Sequence, residues 1–258
     1  SYISWMRYAI LIALLLTGCV TTTARTIKPS PDLVARQFAA AAYGNDFGNG
    51  SRVLMRWASP LLVDARGGDI ATMRQHENDL ASALTAIEQL TGISHGPISH
   101  DAASLDAASN GSRSSVGLHF VRRRHFSDIV KKLPNRRRSS AAMARTSACF
   151  AMTFGDAAKG LISSAIIGIA TDISKARRRH CIPEEFMQIM GLPGDACHYR
   201  PSLICEGENR IFEMQPADKL MLAVLYDPAL QPGMTKDVAM PIARRLIKQH
   251  WHEYMAAE

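Results

Sequence analysis

The chain has 258 residues, of which 47% are hydrophobic and 21% charged, a mixture that excludes a disordered or collagen-like protein. No tandem repeat is visible, which excludes a solenoid. The formal charge is +7, yet residues 122–145 carry nine cations against Asp128 alone, or +8, so the rest of the chain sums to −1. The basic character is local and does not indicate a nucleic-acid partner.

The first pattern in chain order is Met6-Arg7, the apolar run Tyr8 to Leu16, then Thr17-Gly18-Cys19. Ser1 to Trp5 precede a plausible start methionine. The run is too short for a bilayer span and fits the core of a cleaved signal peptide. Leu16-Thr17-Gly18-Cys19 resembles the bacterial lipobox. That resemblance implies that residues 1–18 are removed and that Cys19 is acylated and becomes the new N-terminus. The protein would then sit in the cell envelope, held in the membrane by lipid at Cys19. Valine and threonine follow the cysteine rather than aspartate, which favours the outer membrane, facing the periplasm.

Residues 19–31, rich in threonine and ending near Pro29 and Pro31, read as a tether. A short alanine-rich helix is expected over Asp32 to Tyr43. A strand is expected over Arg56 to Ala65, ending at Gly67-Gly68. Ile70, Met73, Leu80, Leu84, Ile87 and Leu90 fall at helical spacing and predict one long helix. Val116, Leu118 and Phe120 alternate as a strand does, as do Phe150, Met152 and Phe154, and Ile166 to Ile169 is a β-branched run. Residues 99–114 and 133–147 read as loops. A helix is expected from about Ile182 to Gly191, because Pro183 suits a first turn. Two more are expected, from Pro216 to Tyr226 and from Lys236 onward. The order predicts one α+β domain over residues 32–258 with a mixed sheet.

Beyond Cys19 the cysteines are Cys149, Cys181, Cys197 and Cys205. In an oxidising compartment four cysteines suggest two disulfides, with three pairings open. Cys197–Cys205 closes a short loop and leaves Cys149–Cys181 as its complement. No C-x₂-C pair supports a four-cysteine zinc site.

The most informative stretch runs from His180-Cys181-Ile182-Pro183-Glu184-Glu185 through Gln188 and Gly191 to Gly194-Asp195. On a helix, Glu184 and Gln188 share a face. The layout resembles the metzincin zinc-peptidase pattern H-E-x-x-H-x-x-G-x-x-H-D, in which two histidines one turn apart hold Zn²⁺ and the glutamate is general base. Glu184 and Gln188 stand in the two histidine places, Glu185 in that of the base and Gly191 in that of the turn. Gly194 stands where the third ligand belongs. Ser202-Leu203-Ile204-Cys205 falls where metzincins have a tight turn below the metal.

A closer resemblance is to a bacterial lipoprotein family known as domain of unknown function 2927. It is carried by Cys181-Ile182-Pro183-Glu184-Glu185, Gln188, Gly191-Leu192 and Asp195, and by Leu225-Tyr226-Asp227-Pro228-Ala229-Leu230-Gln231-Pro232-Gly233-Met234. Arg56-Trp57 followed by Pro60 fits as well. Departures are Gly194, where the family has asparagine, and Leu203-Ile204-Cys205 at the turn. The resemblance covers about residues 32–250 and implies a zincin-like domain with a degenerate cleft.

Two functional readings follow. One is a non-catalytic envelope protein whose cleft binds a peptide or protein, with no cofactor. The other is a divergent zinc metallohydrolase with Glu185 as base. Neighbouring His180 is one turn before Glu184, but Pro183 argues against a helix reaching back to it. The cations Arg122, Arg123, Arg124, Arg136, Arg137 and Arg138 have few partners in their own segment and are candidates for contact with lipopolysaccharide phosphates or anionic lipid head groups. His76-Glu77 lacks a second ligand at Leu80. His95 and His100 flank a Gly-Pro turn, and His250-Trp251-His252-Glu253 suits a helix C-terminus. No nucleophile elbow or phosphate-binding glycine loop is present.

Overall fold

A computed structural model describes residues 26–44, 51–67, 70–99, 115–131, 147–205, 207 and 210–256. Cys19, His100, Arg136, Arg137 and Arg138 lie outside the described residues, as do the signal and tether positions up to residue 25. The chain forms a mixed α/β structure. Helix α1 (Pro31–Tyr43) starts at Ser30, whose hydroxyl accepts from the Leu33 amide, with Pro31 in the first turn. Its alanine-rich stripe is buried.

The strand expected over Arg56 to Ala65 is two short ones, β1 (Arg56–Trp57) and β2 (Val63–Gly67), divided around Pro60. Proline cannot donate to a ladder, so the run breaks there. The long helix predicted from Ile70 is likewise two helices, α2 (Ile70–Arg74) and α3 (Glu77–Thr91). The break is at His76, which sits at φ −118° and ψ 10°, outside helical space. Gly92 ends α3 in the left-handed conformation. After β3 (Ser115–Val121) come a 3₁₀ turn over Arg123–His125 and helix α4 (Phe126–Lys131), neither of which the sequence signalled. Strands β4 (Cys149–Asp156) and β5 (Leu161–Ala170) match the alternating runs.

β5 is the hub of the five-stranded sheet, pairing with β1, β3 and β4, while β2 lies beyond β3. The pairings with β1 and β3, and of β2 with β3, are parallel, whereas β4 is antiparallel. The sheet is therefore mixed, as expected, but mostly parallel rather than built of hairpins. Buried parallel strands read as near-continuous apolar runs, as Ile166 to Ala170 does. Among the described residues β4 has a ladder partner on one side only, so it is an edge strand.

Helix α5 (Lys175–Ile189) follows β5 and packs between α3 and the strands β4 and β5. Helices α6 (Pro216–Tyr226) and α7 (Lys236–Met255) pack with each other and with α1. One apolar core joins the sheet, α1, α3, α5, α6 and α7. A small second cluster lies under α4, where Phe126 meets Phe150 edge-on at 4.9 Å. No helix among the described residues is long and apolar enough to cross a membrane.

The start of α5 corrects the sequence reading. The helix does not begin at Pro183 but two turns earlier, capped by Ser174, whose hydroxyl accepts from the Arg177 amide. Pro183 lies in its interior. Burial of the whole segment from His180 to Ile189 outweighs the local cost of the proline.

Candidate functional site

Two devices fix α5. At its start, Arg178 donates through Nε to His76 Nε2 at 3.2 Å, and His76 Nδ1 donates to Asp79 at 2.9 Å. Arg179 reaches the other Asp79 oxygen at 3.0 Å. Burial pushes the His76 pKa down, against the pull of Asp79. Neutral His76 thus relays between a cation and a carboxylate, tying α3 to α5.

At its end, the last carbonyls of α5 have no partner within the helix. The Trp57 indole donates to Ile189 O at 2.8 Å, and the Tyr226 hydroxyl donates to Met190 O at 2.9 Å. Tyr226 also accepts from the Trp57 amide, 169 residues away in sequence. Arg56 donates to Leu225 O and stacks over the Tyr226 ring. The Arg56-Trp57 and Leu225-Tyr226 motifs therefore meet and close the helix that carries the carboxylates. Gly191 follows at φ +111°, and a Cβ there would lie 2.1 Å from Met55 O. Only glycine fits this close approach.

The zinc-pattern positions do not converge as a ligand set. Gln188 donates through its amide nitrogen to Asp195 at 3.0 Å, which leaves only a neutral carbonyl oxygen, a weak ligand, at that position. Gly194 packs against α1, its amide donating to Ala41 O, and a Cβ would fall 2.7 Å from Ala40 O. No larger side chain fits there, so the third ligand place is closed by backbone. Glu184 and Glu185 are 7% and 3% exposed, so both are buried.

Because α5 extends through Pro183, His180 is on the helix and shares a face with Glu184, against the expectation from the sequence. His180 Nε2 stands 3.5 Å from Glu184 Oε2. Cys149 on β4 and Cys181 on α5 form one disulfide, and Cys197 and Cys205 form the other. This is the pairing that loop length favoured. Glu184 Oε2 lies 3.6 Å from Cys149 Sγ. That contact is not a hydrogen bond, since a disulfide sulfur carries no proton.

A polar network that the sequence did not reveal holds the segment after α5. Asp218, fully buried, accepts from the Tyr199 and Ser202 hydroxyls, each at 2.7 Å, and from the amides of Leu203 and Gln215 at 2.9 and 3.2 Å. Gln37 on α1 donates to Ser202 and accepts from the His198 amide. Burial raises the Asp218 pKa against its four donors, and raises that of Tyr199 well above the ordinary phenol range. The segment from Tyr199 to Leu203 is thus anchored by a carboxylate at the start of α6.

Arg122 and Arg124 are exposed. Arg123 pairs with Asp172 at 3.4 Å and Lys131 with Asp128 at 3.3 Å, so these two cations of the basic segment have acidic partners, while Arg124 donates to His125 at 3.0 Å. His95 lies near Glu88 and His250 near Glu253, both as local helix-end pairs. A groove of about 670 Å³ between α1 and α7 is lined by Arg36, His198, Lys236 and Arg244. A smaller one, about 270 Å³, runs beside α3 and Pro183. Neither is lined by Glu184, Glu185 or Gln188.

No curated protein and no solved structure matches the chain. The family described as protein of unknown function (DUF2927) matches residues 31–245, a span that includes both helix-closing motifs and every residue of α5. The chain therefore belongs to the DUF2927 family.

Proposed function

We propose that the protein is an exported, lipid-anchored component of the bacterial cell envelope, with a zincin-like domain whose peptidase-type cleft binds a peptide or protein without cleaving it. The observation that carries the non-catalytic reading is the fate of the ligand positions. Gln188 is bonded to Asp195, and Gly194 has backbone where a side chain would need to stand. A catalytic zinc needs three protein ligands and an open position. Without a metal-polarised water, Glu185 has no nucleophile to activate.

The edge strand β4 suggests the mode of binding. Its outer side has no ladder partner among the described residues, and Met152, Thr153 and Phe154 are half-buried. An extended peptide can add to such an edge by main-chain hydrogen bonds, with neighbouring side chains setting specificity. Export is supported by the lipobox-like Leu16 to Cys19 and fits the two disulfides. The basic segment 122–145 would then lie within reach of anionic head groups, each cation contributing about 1 kcal/mol near a charged surface.

The test is elemental analysis of the non-reduced, dialysed protein with a casein assay. The reading expects no stoichiometric zinc and no cleavage. Zinc at one ion per chain, with proteolysis abolished by Glu185→Gln, would replace it by a divergent metallopeptidase. A photo-cross-linker placed at Thr153 should capture an envelope peptide or protein in cells, whereas one at exposed Lys159 should not. Equal capture at both sites would reject β4 as the binding edge. Neutralising Arg136, Arg137 and Arg138 should weaken binding to anionic vesicles, and unchanged binding would reject the head-group contact.

A further inference from the structure

We propose that Cys149, Cys181, Glu184 and His180 form a redox-gated site for a borderline divalent cation, Zn²⁺ or its analogue Co²⁺. The site is closed while the Cys149–Cys181 disulfide stands and opens on its reduction. It uses none of the positions Gln188 and Gly194, and it leaves the oxidised protein metal-free.

The first observation is placement. One ligand atom from each of Cys149, Cys181 and Glu184 lies within 4.8 Å of the others, and all three residues are buried. Cys149 is on strand β4, while Cys181 and Glu184 are one turn apart on α5. Rigid elements on both sides hold the donors together.

The second observation concerns His180, which is 0% exposed. Its Nδ1 lies 2.8 Å from Ile211 O, and a carbonyl only accepts, so Nδ1 carries a proton. Nε2 is then the ring atom left to meet a ligand. That atom has no hydrogen-bond partner and faces Glu184 Oε2 at 3.5 Å. A buried ring nitrogen without a hydrogen-bond partner faces a buried carboxylate oxygen, an arrangement that a cation held between them relieves. A metal-bound histidine characteristically donates its second ring N–H to a carbonyl, as His180 does to Ile211.

The third step is chemical. In the disulfide neither sulfur is a thiolate, leaving an imidazole and one carboxylate, too few for tight binding. A dithiol reductant attacks one sulfur as thiolate, forming a mixed disulfide and releasing the other cysteine. Its second thiol then resolves the mixed disulfide. Two electrons and two protons pass to Cys149 and Cys181, and the reductant leaves as its own disulfide. Metal uptake expels both thiol protons and yields two thiolates, one imidazole and one carboxylate around the ion. That donor set suits tetrahedral Zn²⁺.

The experiment uses the full-length chain in detergent, carrying Cys19→Ser so that no other thiol precedes the domain, and Co²⁺ as the probe. The oxidised chain should bind no Co²⁺. After reduction and removal of the dithiol it should bind one ion per chain, with the thiolate charge-transfer band and the visible absorption of tetrahedral cobalt. The pair Cys197→Ser and Cys205→Ser should leave this signal intact, while Cys149→Ser with Cys181→Ser should abolish it. His180→Ala and Glu184→Gln should each weaken binding by about tenfold or more, since even outer-shell partners of a metal contribute that much. Circular dichroism accompanies every measurement. The proposal is overturned by a reduced chain that stays folded and binds no cobalt, or that loses its helical signal with cobalt present. It is overturned equally by a signal that follows Cys197 and Cys205, or one that ignores His180 and Glu184.

Discussion

Replacing Asp218 tests whether the carboxylate at the start of α6 is the post that holds the segment after α5. It accepts four hydrogen bonds, two from hydroxyls and two from amides, with no exposure to water. Asp218→Ala strands all four donors in the interior. An orphaned buried donor costs about 1–3 kcal/mol, and local relaxation recovers part of the sum, so we expect a loss of about 3–5 kcal/mol. That is a large share of an ordinary domain's stability of about 5–15 kcal/mol. Asp218→Asn should cost far less. If its oxygen faces the Leu203 and Gln215 amides, its NH₂ faces two hydroxyls, which can turn to accept. We expect about 1–2 kcal/mol for it, because the Ser202 hydroxyl already accepts from Gln37. Urea unfolding monitored by circular dichroism gives both numbers. An alanine variant within about 1 kcal/mol of the parent, or an asparagine variant as unstable as the alanine one, would refute the reasoning.

Much of the sheet was legible because alternation and β-branched runs are local signals, and β4 and β5 came out where Phe150 to Phe154 and Ile166 to Ile169 stood. The buried carboxylates of α5 were legible as a pattern but not in their role. What Glu184 meets depends on His180, which a helix starting at Pro183 would exclude, and on Cys149, which is 35 residues away. The role of Trp57 and Tyr226 was invisible for a similar reason. Their contacts with the carbonyls of Ile189 and Met190 join segments more than a hundred residues apart in one case, and side-chain-to-backbone bonds leave no periodicity. Gln37 was hidden on an alanine-rich face, where a single buried amide resembles any other helix former. Tertiary contacts decided all four cases, and spacing along one chain does not encode them.

The remaining predictions are narrower. The Tyr199 phenol is buried and its pKa is raised, as is that of Tyr226, while Tyr43 is pushed up to about 12 by burial and nearby Asp237. Unfolded tyrosines ionise near pH 10 while Tyr199 stays protonated when folded, so its contribution to stability is complete below pH 10 and falls above it. The slope is about 1.4 kcal/mol per pH unit for that group. Alkaline titration should show tyrosinate absorption lagging until the fold is lost, and early ionisation of all six tyrosines in a folded chain would count against this. Gly191→Ala should destabilise by at least about 2 kcal/mol, whereas Gly207→Ala, at φ +82° with no atom within 4 Å, should cost about 1 kcal/mol, and equal melting shifts would contradict the close approach to Met55. Cys19→Ser should move the protein out of the membrane fraction, and unchanged fractionation would end the lipoprotein reading. The last prediction concerns Pro183. A proline in a helix interior is about 3 kcal/mol worse than alanine, because it lacks the N–H and its ring crowds the preceding turn. Pro183→Ala restores a donor for the Arg179 carbonyl. Against that gain, the smaller side chain loses about two buried methylene groups at roughly 0.8 kcal/mol each, and the unfolded chain gains freedom worth about 0.4–1 kcal/mol. The balance is a small stabilisation, on the order of 1 kcal/mol, visible as a higher urea midpoint. A loss of more than about 1 kcal/mol would mean that α5 is shaped around the proline, so that the residue which misplaced the helix in the sequence would itself be part of how His180 meets Glu184.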